Sequence, residues 1–353
     1  MKCLVIVSKG LEDVAALEIK ELIGVSASLG EGFCILDVKS EKELCLLSYK
    51  CQSVDKVLLL LDNFKVSSLD DFKQVKNIDF SLTGTFRVSS VQIDNDLDEV
   101  ESKVGEFIEG KVDLNNPDTI IFAYLVKDQC YIGIDFSGID LQKRSYKLFG
   151  HKDSIRGTIA YGLVRLSGFK VGDVLVDPFC RSGLIPIEAV LYSLGLSVNY
   201  YNKDKLAFNK LFSFDFKDDV KDGKLEVYGY ASEWLDLNNS KKNAKIASVH
   251  KNITFSKVDI EWLDTKFKEK SIDRIVTKVP EVNRVSDVKQ IEKLYNEFLH
   301  QVEFVLKDGG VMVVCGSNLD LLKKVSSEYK LKLKEERKLS VGKGKLAVLV
   351  FSK

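Results

Sequence analysis

Val174-Leu175-Val176-Asp177-Pro178-Phe179-Cys180-Arg181-Ser182-Gly183 decides the reading of this chain. A short apolar run ends in an acidic residue, passes through a turn of small residues and enters the apolar stretch Leu184 to Leu194. The pattern predicts a strand, a tight turn and a helix. The carboxylate then stands at the carboxyl end of a strand, and the free N–H groups of the helix start face a polar ligand above the sheet edge. Arg181 sets a long cation among the small residues of the turn. If its φ is positive it costs about 1 kcal/mol, and more if its side chain enters the ligand volume. Turned outward, the guanidinium would meet a phosphate instead.

Outward from this turn the pattern is regular. Toward the carboxyl end, helices are expected over 155–167, 185–194, 237–247 and 288–305. Strands are expected over 173–176, 225–230, 253–257, 272–277 and 311–315, followed by a basic terminal hairpin. Such alternation predicts a doubly wound α/β sheet with ligands at the carboxyl ends of its strands. Toward the amino end the order is a strand at 3–7 and a helix carrying Val14, Leu17, Leu22 and Ile23 on its apolar face, then strands at 32–38 and 56–61. A second α+β unit follows: strand 85–91, helix 97–108, and a hairpin of 119–127 with 129–135. The expected division is 1–62, 63–140 and 141–353, with 141–153 as a linker; 199–222, rich in Lys, Asp and Phe, reads as an insertion without an evident role.

Composition narrows the function classes. A chain of 353 residues exceeds one ordinary core. No apolar run is long enough to span a bilayer, and the run after Met1 is too short for a signal peptide, so a cytoplasmic location and no membrane association are expected. Seven scattered cysteines without a CxxC pair, and three histidines without ligand spacing, give no disulfide framework and no metal site. Net charge is zero but unevenly spread. Residues 66–140 carry six Lys/Arg against fifteen Asp/Glu, residues 141–170 seven against one, and residues 321–353 ten against three. A nucleic acid would therefore approach the second half and the junction.

Asp177-Pro178-Phe179-Cys180-Arg181-Ser182-Gly183 resembles motif I of the S-adenosylmethionine-dependent methyltransferases that modify RNA amino groups, with Arg181 in place of Gly. Upstream, Phe86-Arg87-Val88, Val112 to Asp118, Tyr131 to Asp135 and Leu141-Gln142-Lys143-Arg144-Ser145-Tyr146 together resemble a THUMP domain joined to its methyltransferase. The resemblance covers nearly the whole chain. It implies a Rossmann-like class I methyltransferase sheet preceded by α+β ferredoxin-like and THUMP domains. It also implies methyl transfer from S-adenosylmethionine to a guanine N2 of tRNA, achieved by positioning the amine rather than by strong base chemistry.

Roles carried over residue by residue place Asp177, Phe179, Cys180, Ser182 and Gly183 around the methionine half of the cofactor, and Asp259 with Ile260 at its adenine. The ribose carboxylate falls on Ala231, which cannot accept a hydrogen bond. Glu233, two residues on, is the expected substitute if the strand continues; otherwise it is a solvated loop carboxylate. Asp259 also fits a helix cap. The amine-holding Asn/Asp-Pro-Pro-aromatic tetrapeptide falls on Lys278-Val279-Pro280-Glu281. Of these, Lys278 and Pro280 are the catalytic candidates, although Lys278 only donates unless it is deprotonated and Glu281 offers no stacking face. Arg87, Lys143, Arg144, Lys147 and Arg156 are the RNA-binding candidates; a solvated basic linker is the alternative for the junction run. Three functions stay open: the tRNA methyltransferase, a non-catalytic paralogue that binds RNA or a protein partner through the acidic THUMP face, and a methyltransferase with a changed acceptor.

Overall fold

The protein is described by a computed structural model covering residues 1–353 except Ser81, Thr83, Asp222, Lys224, residues 283–286 and Lys343. Asp222, the expected end of the insertion, therefore lies outside the described residues, as does Lys343 of the terminal hairpin. The chain forms two compact units. Met1–Val7, Ala15–Leu141 and Asn199–Lys217 make one, and Ser8–Val14, Gln142–Val198 and Asp218–Lys353 make the other.

The first unit is built on one eight-stranded sheet. In chain order its elements are β1 (Lys2–Val7), α1 (Glu12–Ile23, whose first residues belong to the second unit), β2 (Ser28–Gly30), β3 (Phe33–Asp37), α2 (Glu41–Lys50), β4 (Val54–Lys65), β5 (Thr85–Ile93), α3 (Val100–Gly105), β6 (Lys111–Val112), β7 (Thr119–Val126) and β8 (Gln129–Asp135). The strand order is β2-β3-β1-β4-β8-β7-β5-β6, so strands from 1–62 and from 63–140 share the sheet. Interior strand β7 is buried at every position and, after Thr119, runs through apolar and aromatic residues, as a strand covered on both faces requires. Lys127 turns the β7–β8 hairpin at a φ of 56°. Leu17, expected on the apolar face of its helix, is 49% exposed, and α2 is a helix beyond those the sequence pattern predicts.

The second unit holds α4 (Gly157–Leu166), β9 (Leu175–Asp177) and α5 (Leu184–Leu194). The chain then contributes Asn199–Lys217, with the short α6 (Phe208–Leu211), to the first unit. Its phenylalanines explain that membership: Phe212 stacks on Phe136 at 5.6 Å and Phe216 on Tyr49 at 5.7 Å. Back in the second unit follow β10 (Val227–Ala231), α7 (Trp234–Ile246), β11 (Ile253–Lys257), β12 (Ile272–Lys278), α8 (Val288–Val305), β13 (Leu306–Gly316), α9 (Asp320–Ser326), β14 (Lys332–Val341) and β15 (Gly344–Ser352).

The resulting sheet has the order β11-β10-β9-β12-β13-β15-β14. The first five strands are parallel to their neighbours, while β15 runs antiparallel to both β13 and β14. Alternation sends Leu175, Val276 and Val313 into a core shared with α4, α5 and α7, and Val176, Ile275 and Met312 into a core shared with α8. The doubly wound sheet expected from the alternating pattern is thus observed. Ser8–Val14 joins this unit because Leu11 is buried there and Arg337 grips Asp13 at 2.6 and 2.8 Å. The topological switch lies between β9 and β12, where Leu175 pairs with Arg274 and Val176 with Ile275. Ligands of open α/β sheets collect outside the strand ends at such a point.

Candidate active site

The turn after β9 is held from three sides. Asp177 is buried and accepts hydrogen bonds from Thr277 Oγ1 of β12 at 2.6 Å and from the Phe179 N–H at 3.3 Å. Burial pushes its carboxyl up to about 7, against the pull of these donors and of Arg181. Cys180 donates its N–H to Tyr230 O, and its buried thiol is driven well above its ordinary range by desolvation and by Asp177. The positive φ of the turn falls on Gly183, at 82°, where a Cβ would stand 3.1 Å from Ser240 Cα. Arg181 is not among the residues with positive φ, so the backbone strain anticipated for it does not arise. Its guanidinium turns to Asp153 Oδ2 at 2.5 Å and His151 Nδ1 at 3.4 Å.

A cleft of about 510 Å3 opens beyond the strand ends. Pro178, Phe179, Cys180 and Arg181 line it from β9, Ala231, Ser232 and Asp236 from β10 and α7, Val258 to Glu261 from β11, and Pro280 from β12. Phe179 packs edge-on against Phe298 at 5.1 Å, which fixes that wall. Asp259 is exposed at the N-cap position of a 3-10 turn, makes no side-chain cap bond and lines the cleft. Ser182 and Gly183 line instead a small recess beside Ser154 and Asp177, and Ser182 bonds the Ser154 hydroxyl. Glu233 is displaced from the expected ribose position. Strand β10 stops at Ala231, the alternation stops with it, and Glu233 becomes the exposed N-cap residue of α7. The carboxylate that does line the cleft is Asp236, whose Oδ1 is buried without a hydrogen-bond partner among the described residues.

A second cleft, of about 910 Å3, lies on the other side of Arg181 and Pro280, which line both. Lys278 stands in it at the end of β12 and donates to the Asp153 backbone oxygen at 3.0 Å. Glu281 folds onto the loop after β13, accepting from the N–H groups of Ser317 at 2.5 Å and Asn318 at 2.8 Å. Tyr295 donates to Pro280 O at 2.6 Å. Burial works to raise the Asp153 carboxyl, but Arg181, Lys278 and His151 outweigh it and hold it below the ordinary range. The two unusual residues of the sequence, Arg181 and Lys278, are therefore joined through one partner that the sequence reading assigned to a linker. Asn243, fully buried on α7, fastens the same segment by bonding Phe149 N and O at 3.0 and 2.8 Å and Ser182 O at 2.8 Å. A buried Asn in a helix is the signal that would have marked it.

The basic candidates separate by burial. Arg144 is removed from the RNA-binding set: its guanidinium is buried and bidentate to Glu188 at 2.7 and 3.1 Å, with Tyr146 closing the network at 2.5 Å. Its fit requires Gly157, since a Cβ there would lie 2.3 Å from Arg144 Nε. Lys147 donates to Ile155 O, and burial, aided by Arg156, lowers its ammonium below the ordinary range. Lys143 is exposed and Arg156 half-buried. In the first unit, Arg87 reaches Leu114 O at 3.4 Å from β5.

A doubly wound, mostly parallel sheet with a cleft over its switch point defines a Rossmann-like α/β protein that binds a ligand at its strand ends. The model of the RMKL-like methyltransferase domain matches residues 144–346, more than half of the chain, and the chain belongs to that family; the THUMP domain model matches residues 71–135. Among curated relatives, a tRNA (guanine(6)-N2)-methyltransferase of Methanocaldococcus jannaschii is 27% identical over 96% of this chain and 96% of its own. One of Archaeoglobus fulgidus with the same name is 27% identical over 97% of this chain and 90% of its own. Among solved structures, TrmN from Thermus thermophilus superposes with a TM-score of 0.73 at 20% identity, covering 100% of this chain and 99% of its own. A methylase-like protein from Clostridium difficile 630 superposes with a TM-score of 0.80 at 24% identity, covering 99% and 97%. These two show the likeness of fold.

Proposed function

We propose that the protein is an S-adenosylmethionine-dependent tRNA methyltransferase acting on a guanine N2, in the cytoplasm. The observation that carries the reading is the pair of clefts meeting at Arg181 and Pro280 over the switch point, one for each substrate. The residues of the smaller cleft fit the cofactor: an apolar wall at Phe179, Val258 and Ile260, exposed Asp259, and an unpartnered oxygen on Asp236. Asp177, Phe179, Cys180, Ser182 and Gly183 shape the turn that would hold the methionine half, and Asp259 with Ile260 the adenine. The cofactor supplies an electrophilic methyl group. The chain supplies position: Pro280 and Lys278 at the end of β12 bound the approach of the acceptor amine, and no strong base is needed for an in-line transfer. The THUMP unit, with Arg87, and the junction residues Lys143, Lys147 and Arg156 are assigned to the tRNA.

One observation favours a second reading, a methyltransferase-fold protein that binds RNA or a protein partner through its acidic face without transferring methyl groups. Lys278 Nζ and the Glu281 carboxylate are both engaged by protein groups, and neither presents the acceptor and ring that hold a flipped base in the relatives' motif. Titration with S-adenosylhomocysteine, combined with methyl incorporation into tRNA, separates the readings. Heat and incorporation together support the enzyme, and the absence of both defeats it. Heat without guanine methylation points to a changed acceptor. Under the second reading, K278N, V279P and E281Y together restore no activity.

A further inference from the structure

Asp236 combines three features that no other acidic residue of the cleft combines. It lies in the first turn of α7, five residues past Ala231, so that the helix carries it back over the end of β10. It lines the 510 Å3 cleft together with Ala231 and Ser232. Its Oδ1 is buried and has no hydrogen-bond donor among the described residues. A buried acceptor without a donor is costly, so the Asp236 oxygen calls for a water, an ion or a ligand to complete it, and here it borders an open cleft. Ala231 has no acceptor to offer, and Glu233 is exposed outside the cleft wall. Desolvation raises the Asp236 carboxyl above its ordinary range, Glu233 and Asp153 add to that, and His151 and Arg181 pull against it. The first helical turn is itself a favourable place for a carboxylate.

We infer that Asp236 is the carboxylate that accepts hydrogen bonds from the vicinal ribose hydroxyls of the adenosyl cofactor, a role moved from the strand end to the first turn of α7. The inference rests on the reading of the smaller cleft as the S-adenosylmethionine site. What it adds is a binding contact: the diol of a nucleoside brings two donors, and a carboxylate brings the acceptors they need. The loss of the acidic residue at Ala231 is then compensated within the same β-strand, turn and helix.

The test is calorimetry on the full chain with S-adenosylhomocysteine and with its 2′-deoxy and 3′-deoxy analogues. The wild type is expected to bind the deoxy analogues roughly 10- to 100-fold more weakly than the parent, the value of a hydrogen bond to a charged group. Asp236→Ala is expected to bind the parent more weakly by a similar factor and to lose the discrimination between parent and analogues. Asp236→Asn, which keeps one acceptor, should fall between, and A231D added to D236A should restore discrimination. The ratio of affinities is internal to each variant and is insensitive to the fraction folded. Unchanged discrimination in D236A overturns the inference while leaving the cofactor reading intact; a wild type that gives no heat with S-adenosylhomocysteine overturns both.

Discussion

The two residues that break the motif pattern most visibly, Arg181 and Lys278, share one partner. Arg181 escapes strain because the left-handed residue of the turn is Gly183 and not itself. Arg181→Gly should therefore leave the turn intact and change thermal stability little, whereas Gly183→Ala should cost about 1 kcal/mol or more through its φ and its approach to Ser240. Paired melts of the two variants check this order. The buried Arg144–Glu188 pair gives a larger effect. Arg144→Ala leaves the buried Glu188 carboxylate without its guanidinium counter-charge and should destabilise by about 3–5 kcal/mol in urea unfolding. Its readout is stability, and the affinity of the folded protein for tRNA should be unchanged. Asp177 carries a pH signature. Its folded-state value of about 7 lies above the ordinary 3.8, so the native state binds the extra proton between these limits and loses stability as pH rises through them. Asp177→Asn removes that slope; its melting temperature relative to wild type should climb from about pH 4 to about pH 7 and level off above.

At the scale of elements, α7 and the segment before α4 do more than connect. Asn243 ties Phe149 to Ser182, and Asp153 ties Arg181 to Lys278, so residues 149–154 form one side of the site. Asn243→Ala should speed hydrogen exchange across 149–154 by an order of magnitude or more while exchange in β12 and β13 stays slow, a contrast that mass spectrometry resolves. Uniform acceleration across the unit would instead mean that Asn243 stabilises the whole fold. Strands and helices of the second unit were legible because their period and turn chemistry are local: α8 and β11 match their expected limits residue for residue. What sequence left hidden is non-local. Asp153 meets Lys278 across 125 positions, and Asp236 enters the cleft only because β10 ends at Ala231. Glu233 would share the face of Ala231 only if β10 ran two residues further.

At the scale of the whole molecule, the chain pairs an acidic THUMP-bearing unit with a methyltransferase unit, and its overall charge of zero conceals that contrast. The aromatic run of Asn199–Lys217 could not be allotted from sequence, because Phe208, Phe212 and Phe216 lie far along the chain from the core they complete. Both tryptophans of the chain, Trp234 and Trp262, stand exposed beside residues that line the 510 Å3 cleft, so, if that cleft is the proposed cofactor site, tryptophan emission should change on addition of S-adenosylhomocysteine. The central claim, methyl transfer to a tRNA guanine N2, is tested most directly by incubating the full chain with labelled S-adenosylmethionine and unmodified tRNA and analysing the digested nucleosides by mass spectrometry. The account predicts labelled N2-methylguanosine; tRNA that stays unlabelled while the protein binds the cofactor would contradict it.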